Sequence, residues 1–256
     1  MYVNAFLTAG PAKFIKNVDY TTSVCKSVVC SQSELWGDRI KDNVVIYNGY
    51  NKELIMNETG KDQDTGDNEA FKLCYAGRIS DEKNLLFSFN VCKELKKQNR
   101  LFVFYIAGSG KSGKIEEYKK LAYSLDIQDN VRFLGRLNLN ELSSIYRKSD
   151  VFLFPSVFDC DSIACIESRL CGCPTLCVKN TGTSERIIDG QNGFALEENV
   201  DEFVKKIIEL INMKSIDSNS YLNLRATTTS LAADTWSNVS EQYLNLYQKA
   251  IDENRR

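Results

Sequence analysis

Histidine is missing altogether from the 256 residues. Its absence excludes Ser-His-Asp and Cys-His catalysis, His-ligated metal sites and histidine general bases together. A basic excess is missing too: 32 Lys and Arg face 34 Asp and Glu, a formal charge of −2. Counterion release from a nucleic-acid backbone then has little to act on, so nucleic acid is not an expected partner. No stretch nears the roughly 20 apolar residues that span a bilayer. The longest apolar run, Leu101 to Ala107, is strand-sized. The opening Met1-Tyr-Val-Asn-Ala-Phe-Leu-Thr has neither the charged nor the continuously apolar region of a secretory signal. Nine cysteines, an odd number with no paired CxxC spacing, argue for a reducing compartment rather than a disulfide framework. The expected location is cytoplasmic, with peripheral association at the inner face of a membrane left open. Internal repeats and low-complexity tracts are also lacking.

What is present is the composition of a folded chain, 43% hydrophobic and 26% charged. At this length about three quarters of the unfolded surface can be buried, so no metal or disulfide staple is needed. Residues 1–50 hold two strand-like runs, Ser27-Val-Val-Cys-Ser31 and Asn43-Val-Val-Ile-Tyr47, the second closed by Asn48-Gly49. Residues 51–70 are polar, with Asp62, Asp64, Asp67, Gly60 and Gly66, and read as a linker or loop.

From 71 to 212 strand and helix alternate. The strand candidates are Lys72–Ala76, Leu101–Ala107, Val131–Leu134, Val151–Phe154, Pro174–Val178 and Gly193–Leu196. They show little polar alternation, as strands buried on both faces do. Helical patterns fall between them at Asn84–Gln98, Lys114–Leu125, Glu141–Lys148, Ser162–Cys171 and Ser184–Asp189, with Val200–Ile211 after the last strand. The fold class predicted is α/β, a doubly wound parallel sheet, whose ligands bind beyond the carboxyl ends of the strands. Residues 213–256 open with a polar segment and end in a helix from about Asp234 to Glu253. Trp236, Val239, Tyr243, Leu246, Tyr247 and Ala250 give that helix one apolar face.

The strand-end loops carry the chemistry. After the first strand come Gly77-Arg78 and, five residues on, Lys83, on a turn that enters a helix. Two readings stand: a diphosphate cradle of cations at a helix N-terminus, or a solvated turn whose Lys83 pairs with a nearby acid. After the second comes Gly108-Ser109-Gly110-Lys111-Ser112-Gly113-Lys114. A P-loop is rejected, because Tyr105 stands where that motif needs a glycine. What remains is a flexible turn, or one where Gly108 lets backbone approach a ligand closely. Gly135-Arg136 ends the third strand. After the fourth comes Pro155-Ser156-Val-Phe-Asp159-Cys160-Asp161-Ser162-Ile163, with Glu167 further on. Ser162 is a candidate N-cap. The acids either complement the helix dipole or face neutral sugar hydroxyls while backbone N–H groups face a phosphate. Five cysteines between 160 and 177 lack metal-ligand spacing; Cys165, Cys171 and Cys177 read as small buried residues.

In order and spacing, several motifs together resemble the retaining nucleotide-sugar glycosyltransferases of family 4 (group 1), which have the GT-B fold. They are Asn48-Gly49, Gly77-Arg78 with Glu82-Lys83, Phe133-Leu134-Gly135, and Pro155-Ser156. Asp159…Glu167, Cys171-Gly172-Cys173-Pro174 and Asp189-Gly190-Gln191-Asn192-Gly193 complete the set. The resemblance implies that Arg78 and Lys83 hold the donor diphosphate and that Asp159 meets hydroxyls of the transferred sugar. Glu167 would bond the ribose. Backbone from Cys160 through Asp161 and Ser162 to Ile163 would meet phosphate or sugar oxygens, and backbone at Gly135 and Arg136 the base. It implies a UDP-sugar or GDP-sugar donor, UDP favoured, a saccharide or lipid acceptor, and no metal cofactor. Two departures matter. Asp159 replaces the usual glutamate, and Asp161 adds a negative charge that either disfavours a phosphate or points away. Residues 71–212 match the donor-binding domain, whereas 1–50 are too short for an N-terminal domain of roughly 150 residues. A donor-binding subunit that needs a partner chain is therefore the alternative. The last helix resembles the one that crosses back in complete relatives.

Overall fold

A computed structural model describes residues 20–30, 43–51, 69–230 and 234–254. Two short strands, β1 (Thr21–Ser23) and β2 (Asn43–Val45), pair in parallel as a small sheet. The main sheet has six: β3 (Phe71–Ala76), β4 (Phe102–Ala107), β5 (Val131–Gly135), β6 (Val151–Phe154), β7 (Thr175–Val178) and β8 (Gly193–Leu196). All pairings are parallel, in the order β5-β4-β3-β6-β7-β8. This is the doubly wound sheet expected. Strands β4, β6 and β7 are buried along their whole length, which is why they read as continuous apolar runs.

Helices α1 (Leu85–Lys97), α2 (Lys114–Ser124), α3 (Leu139–Lys148) and α4 (Ile163–Leu170) fill the crossovers, followed by α5 (Val200–Ile216), α6 (Ser218–Ser230) and α7 (Trp236–Asn254). Helix α1 packs on α2 through Phe89 and Tyr118 (ring centroids 5.7 Å apart) and on α5 through Phe87 and Phe203 (4.9 Å). Helices α3 and α6 both pack on α4. Helix α3 starts two residues earlier than its apolar pattern because Asn138 and Glu141 close a capping box, bonding at 2.8 and 3.1 Å.

Because β3 and β6 are neighbours while β4 and β7 lie on opposite sides of them, the chain reverses its winding between β3 and β6. Crevices for ligands open at such a point.

Three expectations need correction. Of the run expected as a strand over Ser27–Ser31, the described part is not one: residues 26–30 are helical, and Ser31 lies outside the described residues. Glu185 accepts from the N–H groups of Lys26 and Ser27, both at 2.8 Å, and this cap overrides the strand preference of two adjacent valines. Ser184–Asp189 is not a helix but a 3-10 turn over Thr183–Arg186. Asn192 accepts from the Ile188 N–H (2.8 Å) and bends the chain toward β8. The polar segment after 212 is helical, with α5 running through that expected boundary to Ile216 and α6 following it. Tyr221, Leu224 and Thr228 give α6 its buried stripe.

Of the remnant expected over 1–50, residues 1–19 and 31–42 lie outside the described residues, as do 52–68 of the expected linker. Helix α7 starts beside the linker, where the Trp236 N–H donates to the Tyr50 carbonyl (3.1 Å). It ends beside β1, where the Tyr20 hydroxyl donates to Glu253 (2.6 Å). It thus crosses back along the first segment of the chain.

Candidate functional site

The loops after β3, β4 and β5 are stitched together by backbone bonds. Gly77 N–H donates to Ala107 (3.1 Å), Ile79 N–H to Ser109 (2.9 Å) and Gly108 N–H to Gly135 (2.7 Å). The approach is so close that a β-carbon on Gly108 would lie 1.8 Å from the Gly77 carbonyl oxygen, at φ +140°. Only glycine fits there. Between these loops lies a cavity of about 210 Å³ lined by Gly77, Arg78, Gly108, Arg136, Leu137 and Leu142, among others. Tyr75, buried beneath it, donates to the Arg78 carbonyl (2.8 Å) and fixes the height of that loop.

A second cleft, of about 800 Å³, opens at the β3/β6 switch point. Among the described residues it is lined by Val24, Asn48, Arg78, Glu82, Lys83, Ser156, Phe158, Asp159, Cys160 and Asp161. Arg78 lies on both cavities. Its side chain is 74% exposed, and its contact with Glu82 at 3.7 Å is too exposed to hold it in place. Lys83 is held firmly. Its Nζ lies 2.5 Å from Asp159 Oδ2 and 5.9 Å from the centre of the Phe154 ring, and both ionic side chains are largely buried. Asn84 ties the same turn across the switch point by donating to the Pro155 carbonyl (3.3 Å) and to Glu198 (2.8 Å).

At the mouth of α4, Ser162 is the N-cap, its hydroxyl accepting from the Cys165 N–H at 3.4 Å. The Ser162 N–H donates to Thr183 Oγ1 (3.2 Å), so of the backbone expected to face an anion this N–H is already engaged. Ile163 opens the helix and is 44% exposed. The first N–H groups of a helix have no partner within it, so Ile163 and Ala164 are the donors placed for an oxyanion. Asp161 lines the cleft beside that mouth, and its carboxylate is already engaged. Its Oδ2 accepts from the Asn48 N–H (2.8 Å) and from Arg186 (3.0 Å). Burial holds its carboxyl above the ordinary range, and the nearby guanidinium offsets only part of that rise. Burial, then the neighbouring Cys25, push the Cys160 thiol up to about 11, so it stays protonated at neutral pH and is no nucleophile.

Glu167 stands apart from these residues. It sits on the second turn of α4, half-buried, and is not among the described residues lining either cavity. Burial pushes its carboxyl up to about 7, and the hydroxyl of Tyr146 offsets this only in part.

Comparison with known proteins names this arrangement. The family pattern "Glycosyl transferases group 1" matches residues 57–228, well over half of the chain. The chain belongs to the group 1 glycosyl transferases. It is 28% identical over 206 residues to an uncharacterized glycosyltransferase of Methanocaldococcus jannaschii, covering 77% of this chain and 53% of that one. It is 25% identical over 182 residues to the lipopolysaccharide 1,2-N-acetylglucosaminetransferase of Salmonella typhimurium, covering 68% and 47%. Anabaena HepE, solved with UDP and glucose, superposes with a TM-score of 0.69 at 18% identity, over 89% of this chain and 62% of that one. Sucrose-phosphate synthase of Thermosynechococcus elongatus superposes at 0.74 with 16% identity, over 94% and 61%. These likenesses show the fold, a six-stranded parallel sheet flanked by helices as in GT-B glycosyltransferases. The chain spans a little over half the length of the archaeal relative.

In this member of the family the structure brings Arg78, Lys83, Asp159, Cys160 and Asp161 to one cleft, with Gly77, Gly108 and Arg136 on the adjoining cavity. Sequence reasoning missed Phe158, which is 70% exposed on the cleft. It also missed Arg186, which serves Asp161 from 25 positions away. Nothing local marks either residue. All nine cysteines are free; Cys165, Cys171 and Cys177 are buried, as expected.

Proposed function

We propose that this glycosyl transferase binds a nucleoside diphosphate sugar, a UDP-sugar in preference to a GDP-sugar. It transfers the hexose to a hydroxyl of a saccharide or lipid acceptor with retention of configuration. The observation that carries the reading is the meeting of two cavities at one exposed cation, Arg78. The smaller, walled by Gly77, Arg136, Leu137 and Leu142, suits a base. The larger suits a sugar and an incoming acceptor. A diphosphate spanning them passes Arg78, with Lys83 and the start of α4 on its far side. As the nucleotide leaves, negative charge grows on the diphosphate. Arg78 and Lys83 oppose it with positive charge, Lys83 held in place by Asp159 and Arg78 free to close on the ligand, so this reading calls on no metal. Asp159 is placed to accept from sugar hydroxyls, and Lys83 holds it in position.

The UDP bound by HepE and the acceptor named for the Salmonella relative support the donor class and a glycoconjugate product. The relatives' greater length favours a second reading, in which these residues bind donor while others, in the same polypeptide or a partner chain, present the acceptor. Among the described residues no helix is long and apolar enough to cross a membrane. We place the reaction in the cytoplasm, with a lipid acceptor met at the membrane's inner face.

Calorimetric titration with UDP tests the reading. Saturable binding is expected, weakened about thirtyfold in Arg78→Ala, in keeping with loss of roughly 2 kcal/mol of charge-assisted bonding. A wild-type chain that binds neither UDP nor GDP would reject it.

A further inference from the structure

An anion held over the first turn of α4 lies within one or two residues of Asp161. A bare carboxylate there would repel it. On the donor-binding reading above, we propose that Asp161 and Arg186 are a positioning pair. The pair keeps the phosphate-facing mouth of α4 free of net negative charge and fastens it to the segment after β2 at Asn48.

The contacts are mutual. One nitrogen of Arg186 donates to Asp161 Oδ2 (3.0 Å) and to the Asn48 carbonyl (2.9 Å). Asn48 returns two bonds, from its N–H to Asp161 Oδ2 (2.8 Å) and from its side-chain amide to the Asp161 carbonyl (2.9 Å). The Asp161 side chain is 2% exposed and that of Arg186 14%. Few water molecules reach the pair, so little screening softens the charge of either if the other is removed.

Arg186 has little freedom to leave. Its guanidinium lies over the Tyr47 ring (5.2 Å), and its carbonyl accepts from the buried Arg169 (3.0 Å) and from Asn192 (3.0 Å). The neighbouring acid, Glu185, is occupied by the Lys26 and Ser27 N–H groups and the Tyr47 hydroxyl. A β-carbon on Gly182 would lie 1.6 Å from the Cys160 carbonyl oxygen, so the turn bearing Arg186 is pressed against the loop bearing Asp161. Asp159 and Cys160 belong to that same loop and line the donor cleft.

A merely structural ion pair and a charge-setting one differ in what they do to ligands with and without phosphate. The test titrates wild type, Arg186→Gln, Asp161→Asn and the double variant with UDP and with uridine. Arg186→Gln should weaken UDP at least about tenfold and uridine less than about twofold, because only the diphosphate feels the uncompensated carboxylate. Asp161→Asn keeps an acceptor for Asn48 and should bind UDP more tightly than wild type. The double variant should return UDP affinity to near the wild-type value. Equal losses for UDP and uridine, or weaker UDP binding by Asp161→Asn, would overturn the pair's role. If Arg186→Gln fails to fold, the sign of the Asp161→Asn effect decides. Absence of UDP binding by the wild type strikes the donor reading instead.

Discussion

The carboxylates around α4 are handled in three ways, and their neighbours set the difference. Asp159 has Lys83 at 2.5 Å. Asp161 has Arg186 at 3.0 Å. Glu167 has only the phenol of Tyr146 to offset its burial, and its carboxyl rises from 4.5 to about 7. An acid raised in the folded state binds more protons there than in the unfolded chain across the window from about 4.5 to 7. Stability therefore falls as pH rises through that window, and the loss is complete above it. Replacing the acid by its neutral isostere removes the penalty. Glu167→Gln should be more stable than wild type at pH 8, by about 1–2 kcal/mol once partial exposure is allowed for. Near pH 4.5 the two should differ little. Urea unfolding at both pH values measures this, and a gain independent of pH would refute the assignment. The same proton bears on ligands: protonated Glu167 both donates and accepts, whereas ionised Glu167 only accepts.

At the scale of elements, the six main strands and most helices could be read from sequence because burial on both faces leaves an unbroken apolar signature. What escaped was set by long-range contacts. Helix α6 has a weak apolar stripe and a Thr-rich end, and residues far away hold it in place. Asp150, at the opposite end of β6 from the cleft and 3% exposed, accepts from the Lys72 N–H (2.7 Å), Lys214 (2.7 Å) and the Tyr221 hydroxyl (2.5 Å). Arg225 on α6 donates to the carbonyls of Ser149 (2.6 Å) and Arg147 (2.7 Å). One carboxylate thus pins α5 and α6 to the amino-terminal ends of the central strands β3 and β6. Asp150→Ala would strand a lysine and leave a strand N–H and a buried phenol without their acceptor, at a cost of about 3–5 kcal/mol. Urea unfolding should show that loss, and hydrogen exchange should show α6 opening first; a loss under about 1 kcal/mol would mean the junction is dispensable. The site divides the same way. Arg78, Lys83 and Asp159 were legible because strand-end loops must meet at a switch point. Arg186 and Phe158 were not, since only the folded chain brings the first to Asp161 and leaves the second uncovered.

For the whole molecule, the two cavities are walled by loops that follow β3, β4, β5 and β6, four of the six strands of the main sheet. A ligand that touches all of them links four strands of the sheet through their carboxyl-end loops. Binding to the native state alone stabilises it by about 2.7 kcal/mol when the ligand stands at 100 times its dissociation constant. For a chain of this size each kcal/mol is worth about 2–4 °C, so the melting temperature should rise by roughly 5–10 °C. Across UDP, GDP, ADP and their sugars, UDP or a UDP-sugar should give the largest rise. On the reading proposed above, the residues that meet the donor all lie in this chain, so the shift should appear with no acceptor or partner chain present. Transfer, by contrast, should depend on how the acceptor is presented. Helix α7 leaves Trp236, Leu244, Tyr247 and Ile251 exposed along the segment that leads back to β1. A melting temperature unmoved by every nucleotide would show that the cavities meeting at Arg78 do not form a donor site.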